Sequence, residues 1–152
     1  MAIDSLSNAE NLGALMRNCA AFGAHALIVG ETSSSPFLRR AVRNSMGTIF
    51  QLPVVELKQK RGPHESENEL RARGIRCIAA HPRADDKTLS QADFTGDCCI
   101  IFGSEGDGIS KEVLDSCDEA VAVPMPPTID SLNVGAAAAV FLYEVQRQRN
   151  KT

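Results

Sequence analysis

Short, largely apolar runs alternate along the chain with segments in which apolar residues recur every three or four positions. The runs at 25–29, 75–80, 98–102 and 120–123 have the length of buried strands. The helical spacing predicts helices at 11–22, about 36–45, about 66–73, 110–117 and from about 131 to the end. The pattern predicts an α/β domain with a mainly parallel sheet flanked by helices.

Two segments interrupt this alternation. An apolar stretch at 49–55 has no clear period, and residues 58–68 read as the clearest loop. The 152 residues are enough for one domain, 1–152, with its own core. The chain opens almost directly on its first helix, without an N-terminal extension, so we expect either a minimal protein or a trimmed core.

The length of the apolar runs and the placement of the cysteines predict the surroundings in which the protein acts. None approaches the roughly 20 residues that a membrane span needs, and no leader is recognisable, so we expect no membrane partner. The cysteines number five, and Cys98 and Cys99 are adjacent in an apolar run, which predicts buried thiols in a reducing cytoplasm. No Cys-x-x-Cys spacing is present, so we expect no metal.

Charge is unevenly distributed. The net charge is −3, yet residues 1–61 carry seven Lys and Arg against four Asp and Glu, and residues 62–152 carry nine against fifteen. A polyanionic partner would therefore meet the first third of the chain. Charged side chains that only face solvent, without any partner, would explain the same distribution.

The glycine-rich exit from the 98–102 strand reads Gly-Ser-Glu-Gly-Asp-Gly over 103–108. It matches neither the dinucleotide fingerprint nor a P-loop. Because Glu105 and Asp107 would repel a pyrophosphate, a neutral or cationic ligand with a ribose and a base fits better. The plainer alternative is a turn into a helix capped by Ser110.

The approach to the final helix is crowded with polar side chains. Thr128, Asp130, Ser131 and Asn133 lie within six residues, after prolines at 124, 126 and 127. Either Asp130 or Ser131 can cap the helix, which leaves Ser131 or Asn133 able to point into a cleft at the sheet end.

The first helix carries one arginine near the edge of its apolar stripe. Arg17 lies six residues after Asn11, while Leu12, Leu15 and Met16 mark the buried side. Such an arginine is more often part of a surface salt bridge than of a site.

Together, these segments resemble the SpoU (TrmH-like) RNA 2′-O-ribose methyltransferases of the SPOUT class. The resemblance rests on three ordered motifs across nearly the whole chain: Asn11 to Arg17 with Ala21-Phe22-Gly23, Phe102 to Ile109, and Val123 to Met125 followed by Ser131 to Glu144.

The resemblance implies an architecture and partners. It implies a deep trefoil knot in the C-terminal part, and a homodimer that packs its first and last helices across the two-fold. It also implies that S-adenosylmethionine is the cofactor and that tRNA or rRNA is the substrate. The residues it assigns to the cofactor are Ala80, Gly103, Val123, Met125, Ser131 and Leu132.

The resemblance also implies catalytic and RNA-binding residues. Arg17, facing the partner's cofactor, is the central one; because an arginine normally stays charged, we expect it to position a phosphate and polarise the ribose hydroxyl rather than act as a base. Asn11, Glu105, Ser131 and Asn133 would orient Arg17 and the ribose. Phosphate contacts would come from Arg39, Arg40, Arg43, Asn44 and Ser45, besides Arg17.

One position departs from the family pattern, and two other functions stay open. Gly135 stands where many relatives carry a small hydroxyl residue. A knotted RNA- or cofactor-binding module without turnover is the first alternative. A nucleotide-dependent oxidoreductase is the second, although the dinucleotide fingerprint is absent.

Overall fold

The computed structural model describes residues 1–57, 65–83 and 87–150. A six-stranded sheet in the order β3-β2-β1-β5-β4-β6 crosses the molecule, and every pairing within it is parallel. Its strands are β1 (Ala2–Ile3), β2 (Leu27–Val29), β3 (Val54–Glu56), β4 (Arg76–Ala80), β5 (Cys98–Phe102) and β6 (Glu119–Val121).

Within the described ranges, five helices cover both faces of the sheet: α1 (Ala9–Ala21), α2 (Arg39–Asn44), α3 (Glu65–Ala72), α4 (Lys111–Ser116) and α5 (Val134–Arg149). Buried residues of α1, α2 and α5 share one core cluster, and Val113 of α4 packs in a second cluster with Leu70 of α3. The predicted parallel sheet flanked by helices is confirmed.

Strand alternation divides β5 between the two clusters. Ile100 and Phe102 pack with α1 and α5, whereas Cys99 and Ile101 face α3 and α4. Phe102 meets Phe141 edge to face, with ring centroids 5.5 Å apart. The carboxyl end of β5 is therefore fixed to the first turns of α5.

The first element of the chain is a strand, not the helix that the sequence predicted. β1 is only two residues long, but it lies in the middle of the sheet, where Ile3 pairs with Val29 and Phe102. Two residues are too few for any periodic signal, which is why the prediction was wrong.

Most other predicted elements shift by one to three residues. Strand 98–102 is exact, whereas α5 begins at Val134 rather than 131. The stretch 49–55 divides into a 3₁₀ turn, Thr48–Phe50, and β3. α3 starts at Glu65, so the last part of the predicted 58–68 loop is helical; residues 58–64 lie outside the described part.

The predicted knot concerns the segment that leads from β6 into α5. β6 pairs with β4 at one edge of the sheet, and α5 then packs against α1 on the face. Threading of this segment through a loop stays a prediction. No helix in the described ranges is long and apolar enough to cross a bilayer.

Candidate active site

A cavity of about 520 Å³ opens at the carboxyl ends of β4, β5 and β6. Its walls come from the exits of these strands, from the loop before α5 and from α5 itself. This is the edge at which parallel sheets bind ligands, and the volume suits a molecule of nucleoside size.

Gly103 brings two backbone segments together at the cavity wall. A Cβ at this position would lie 2.0 Å from the Gly108 carbonyl carbon and 2.2 Å from the Ile109 nitrogen, so no side chain fits. Ser104 and Gly108 close the turn by exchanging backbone hydrogen bonds of 2.9 and 3.2 Å. Gly108 has φ +72°, a conformation that favours glycine.

Three side chains from distant parts of the sequence form a hydrogen-bonded triangle at the rim. Asn11 Nδ2 donates to Glu105 Oε1 at 2.6 Å. Asn133 Nδ2 donates to the same oxygen at 3.1 Å and to Asn11 Oδ1 at 3.2 Å. The first motif, the glycine loop and the start of α5 therefore meet at one point.

Asn133 also caps α5. Its Oδ1 accepts from the backbone N–H groups of Gly135 at 2.9 Å and Ala136 at 3.3 Å. The prediction that Asp130 or Ser131 caps this helix was wrong, because the amide of Asn133 serves the cap with its oxygen and the triangle with its nitrogen. Asp130 instead pairs with Arg83 at 3.0 Å. Ser110 caps α4 as predicted, accepting from Val113 N at 3.4 Å.

Arg17 does not join the triangle within one protomer. Six residues separate it from Asn11, which places it about 9 Å further along α1 and roughly 240° around the helix axis. Its side chain is exposed and has no polar partner among the described residues. The orientation of Arg17 by Asn11, Glu105, Ser131 and Asn133 of the partner's cavity stays a prediction.

All six residues predicted to hold the cofactor line the cavity: Ala80, Gly103, Val123, Met125, Ser131 and Leu132. Ser131 is exposed there, and within the described ranges it makes no side-chain hydrogen bond. The segment 81–83, which the sequence did not predict to belong to the site, also lines the wall. The Arg83–Asp130 ion pair joins two segments at the mouth, and a pair 47 positions apart leaves no local signal in the sequence.

The predicted phosphate-binding residues of α2 differ in exposure. Arg39, Arg40 and Arg43 are exposed, and no carboxylate pairs with them in the described part. The Asn44 amide donates to the Arg40 carbonyl at 3.0 Å. Ser45 is fully buried, and its hydroxyl donates to the Val42 carbonyl at 2.8 Å. A phosphate contact through the Ser45 side chain is therefore inconsistent with this structure.

Gly135, the departure from the family pattern, lies where α5 meets α1. A Cβ there would lie 3.1 Å from Asn133 Oδ1 and 3.5 Å from the Ala14 Cβ. The Gly135 carbonyl accepts from Asn18 Nδ2 at 2.7 Å. Glycine thus leaves room for the Asn133 cap and for the close packing of α1.

The cysteines contribute no reactive thiol at this cavity. Cys19, Cys77 and Cys99 are buried, as predicted, whereas Cys98 and Cys117 are partly exposed; all five are free. Burial raises the pKa of Cys19 to about 11 and that of Cys77 to about 12, so both stay protonated at neutral pH. No three His, Cys, Asp or Glu side chains are grouped to hold a metal ion in the portion the structure covers.

Known proteins are similar to this chain in sequence and in fold. Over 149 residues the chain is 35% identical to an "uncharacterized tRNA/rRNA methyltransferase" of Mycobacterium avium, covering 98% of this chain and 47% of that protein. The SpoU methyltransferase AviRb of Streptomyces viridochromogenes, solved in complex with AdoMet, superimposes with a TM-score of 0.91 at 31% identity, over 99% of this chain and 60% of that one. A structure described as an RNA 2′-O ribose methyltransferase gives a TM-score of 0.85 at 29% identity, over 98% and 55%.

The chain thus spans about half the length of the curated relatives it matches. Residues 1–143 match the SpoU rRNA Methylase family. The match takes in the first two motifs, the third motif up to residue 143, the residues of the Asn11–Glu105–Asn133 triangle and the whole cavity wall. The chain belongs to the SpoU rRNA methylase family.

Proposed function

We propose that this chain is the catalytic domain of an S-adenosylmethionine-dependent methyltransferase that methylates a ribose 2′-hydroxyl of tRNA or rRNA. The observation that carries the proposal is the cavity whose rim holds the Asn11–Glu105–Asn133 triangle. It combines a nucleoside-sized space with hydrogen-bonding groups at its edge.

The cavity has the chemistry that this cofactor requires. S-adenosylmethionine supplies an electrophilic methyl group on a cationic sulfur and carries no phosphate. Glu105, Asp107 and Asp130 lie at the wall, and Arg83, which also lines it, is paired with Asp130. This acidic lining suits a cation and disfavours a pyrophosphate. Backbone groups near Val123, Met125 and Leu132 hold the adenosine, and Gly103 lets the backbone of Gly108 and Ile109 close against the cavity wall.

Methyl transfer to a hydroxyl requires alignment of the oxygen and removal of its proton. The triangle fixes the Glu105 carboxylate through two amide donors, so the carboxylate is held ready to orient the ribose. Ser131, exposed at the wall, offers a further hydroxyl to the ribose. Arg17 binds the target phosphate and polarises the 2′-hydroxyl as a fixed cation, so that the hydroxyl proton is lost to water while its oxygen takes the methyl group.

A homodimer places Arg17 where this chemistry needs it. Arg17 lies away from its own triangle, and α5 exposes the apolar side chains of Val140 and Tyr143, which are 39% and 59% exposed. Residues Ala136, Val140 and Tyr143 recur at helical spacing and form an apolar stripe. Pairing α1 and α5 with a second copy covers this stripe and brings each Arg17 to the partner's cavity.

The test is transfer of a labelled methyl group from S-adenosylmethionine to unmodified total RNA. We expect label in 2′-O-methylated nucleotides with the wild type and a loss of at least about a hundredfold with Arg17→Ala. Arg73→Ala is the matched control, since Arg73 is exposed at the end of α3, away from the cavity walls. Cofactor binding without transfer would instead favour a binding module without turnover.

A further inference from the structure

The segment from Phe37 to Phe50, called here the α2 strip, exposes apolar and basic side chains together. Four of the nine large hydrophobic side chains that are exposed in the described ranges lie in it: Phe37, Leu38, Met46 and Phe50. Met46 is 72% exposed and Phe50 is 76% exposed. Exposed apolar side chains that join in one patch mark a binding site in soluble proteins.

The same strip is uniformly basic. Arg39, Arg40 and Arg43 are all exposed, and no Asp or Glu occurs between Thr32 and Val55. Arg39 and Arg43 are four residues apart, so they lie on one side of α2, and Met46 follows one turn later with its N–H donating to the Arg43 carbonyl at 3.1 Å. The exposed Met46 side chain therefore follows directly after a basic helix.

The backbone at Met46 is held in an unfavourable conformation. Its φ of +53° lies in the left-handed region, and no other described residue except glycine has a positive φ. Such a conformation costs free energy in a methionine, and strained residues of this kind cluster at active sites, ligand clamps and switch regions. Here it accompanies an apolar side chain left in solvent.

The strip lies next to the candidate active site. A Cβ on Gly13 would be 2.5 Å from the Ala41 carbonyl oxygen and 2.6 Å from the Asn44 Cβ, so α2 packs directly on the second turn of α1. Asn11, two residues before Gly13, belongs to the triangle. The last turn of α2, which leads into Met46, is thus a short distance from the rim.

We propose that the α2 strip binds an unpaired nucleotide of the substrate RNA, with its base stacked on Phe50 and Met46 and its phosphates on Arg39 and Arg43. Unpaired bases stack on aromatic side chains, whereas the bases of duplex RNA are hidden in its stack and deep groove. This inference rests on the proposed function and names its substrate class: a loop, bulge or single-stranded end rather than a duplex. Self-association through the strip is disfavoured, because a two-fold would bring its arginines together.

The test is binding of a short fluorescein-labelled single-stranded RNA, alone and annealed to its complement, measured by fluorescence anisotropy on the full chain. We expect Phe50→Ala to weaken single-strand binding roughly 5- to 150-fold and to change duplex binding by less than about twofold. Phe50→Trp, which keeps a stacking surface, restores the affinity. Val55→Ala is the matched control, since Val55 is an exposed apolar residue outside the strip.

The arginines are tested by the salt dependence of the same binding. Arg39→Ala and Arg43→Ala should each lower the slope of log K against log salt by about 0.7 for the single strand. The inference would be overturned if wild type and Phe50→Ala bound single-stranded RNA with equal affinity, or if Phe50→Ala lost affinity equally for the single strand and the duplex. It would also be overturned if the wild type bound no RNA. So would a change of oligomeric state in Phe50→Ala, which would make the strip an interface between copies. Tight single-strand binding without methyl transfer would refute the proposed function and leave this inference standing.

Discussion

Asn133 and Glu105 are joined by a hydrogen bond of 3.1 Å between the amide nitrogen of one and the carboxylate of the other. The same asparagine caps α5 with its oxygen. One residue therefore couples the stability of the last helix to the position of a carboxylate at the cavity rim.

These two roles of Asn133 can be separated by substitution. Asn133→Ser keeps an oxygen for the cap but removes the donor to Glu105, so we expect stability near that of the wild type. Asn133→Ala also loses the cap and should lower the free energy of unfolding by about 1 kcal/mol. Both variants should reduce methyl transfer roughly 10- to 100-fold, because Glu105 is no longer held.

Urea unfolding and single-turnover methyl transfer measure the two effects. A serine variant as unstable as the alanine variant would show that the cap is not the oxygen of Asn133. A serine variant with full activity would remove the triangle from the mechanism.

The separation of Arg17 from the triangle predicts complementation between protomers. Arg17→Ala and Glu105→Ala are each expected to be inactive. In an equal, fully exchanged mixture, half of the dimers contain one copy of each variant. If Arg17 acts on the partner's cavity, each of these dimers has one intact site. Activity should then return to roughly a quarter of the wild-type value.

Subunit exchange is verified with differently tagged copies before the assay. Two preparations of Arg17→Ala mixed together are the control and should stay inactive. If the subunits exchange but methyl transfer does not recover, Arg17 acts on the cavity of its own protomer or takes no part in the reaction.

The buried thiol of Cys19 predicts a loss of stability at high pH. Burial raises its pKa from 9.0 to about 11, so above pH 9 the unfolded chain releases this proton while the native chain retains it. Stability contributed by this group is present below pH 9 and is lost as pH rises towards 11. The slope from one such thiol is at most about 1.4 kcal/mol per pH unit.

Urea unfolding of wild type and Cys19→Ala at several pH values between 8 and 10.5 checks this sign. We expect the free energy of unfolding to fall less steeply in the alanine variant above pH 9. Parallel curves would mean that Cys19 titrates normally in the native protein.

Much of the cavity could be predicted from sequence because its parts are strand exits with distinctive composition. Strand 98–102 is a continuous apolar run, and Gly103 and Glu105 follow it directly. Six predicted cofactor residues do line one cavity. The resemblance contributed to this, since Ala80 carries no chemical signal of its own.

The features that the sequence did not predict correctly depend on geometry that no local sequence pattern encodes. β1 is too short to show a period, and the Arg83–Asp130 pair joins positions 47 apart. Whether Asp130, Ser131 or Asn133 caps α5 depends on where the chain turns into the helix, and all three residue types are good caps. Ser45 looked available beside three arginines, but its hydroxyl turns inward to the Val42 carbonyl.

The most direct test of the account is calorimetric titration of the chain with S-adenosylmethionine, comparing wild type, Gly103→Ala and Gly96→Ala. A Cβ at Gly103 collides with the backbone of Gly108, whereas nothing lies within 4 Å of one at Gly96. We predict one cofactor per cavity for the wild type and Gly96→Ala, and at least a tenfold loss of affinity, about 1.4 kcal/mol, for Gly103→Ala. Absence of binding by the wild type, or equal binding by all three folded proteins, would contradict the assignment of this cavity.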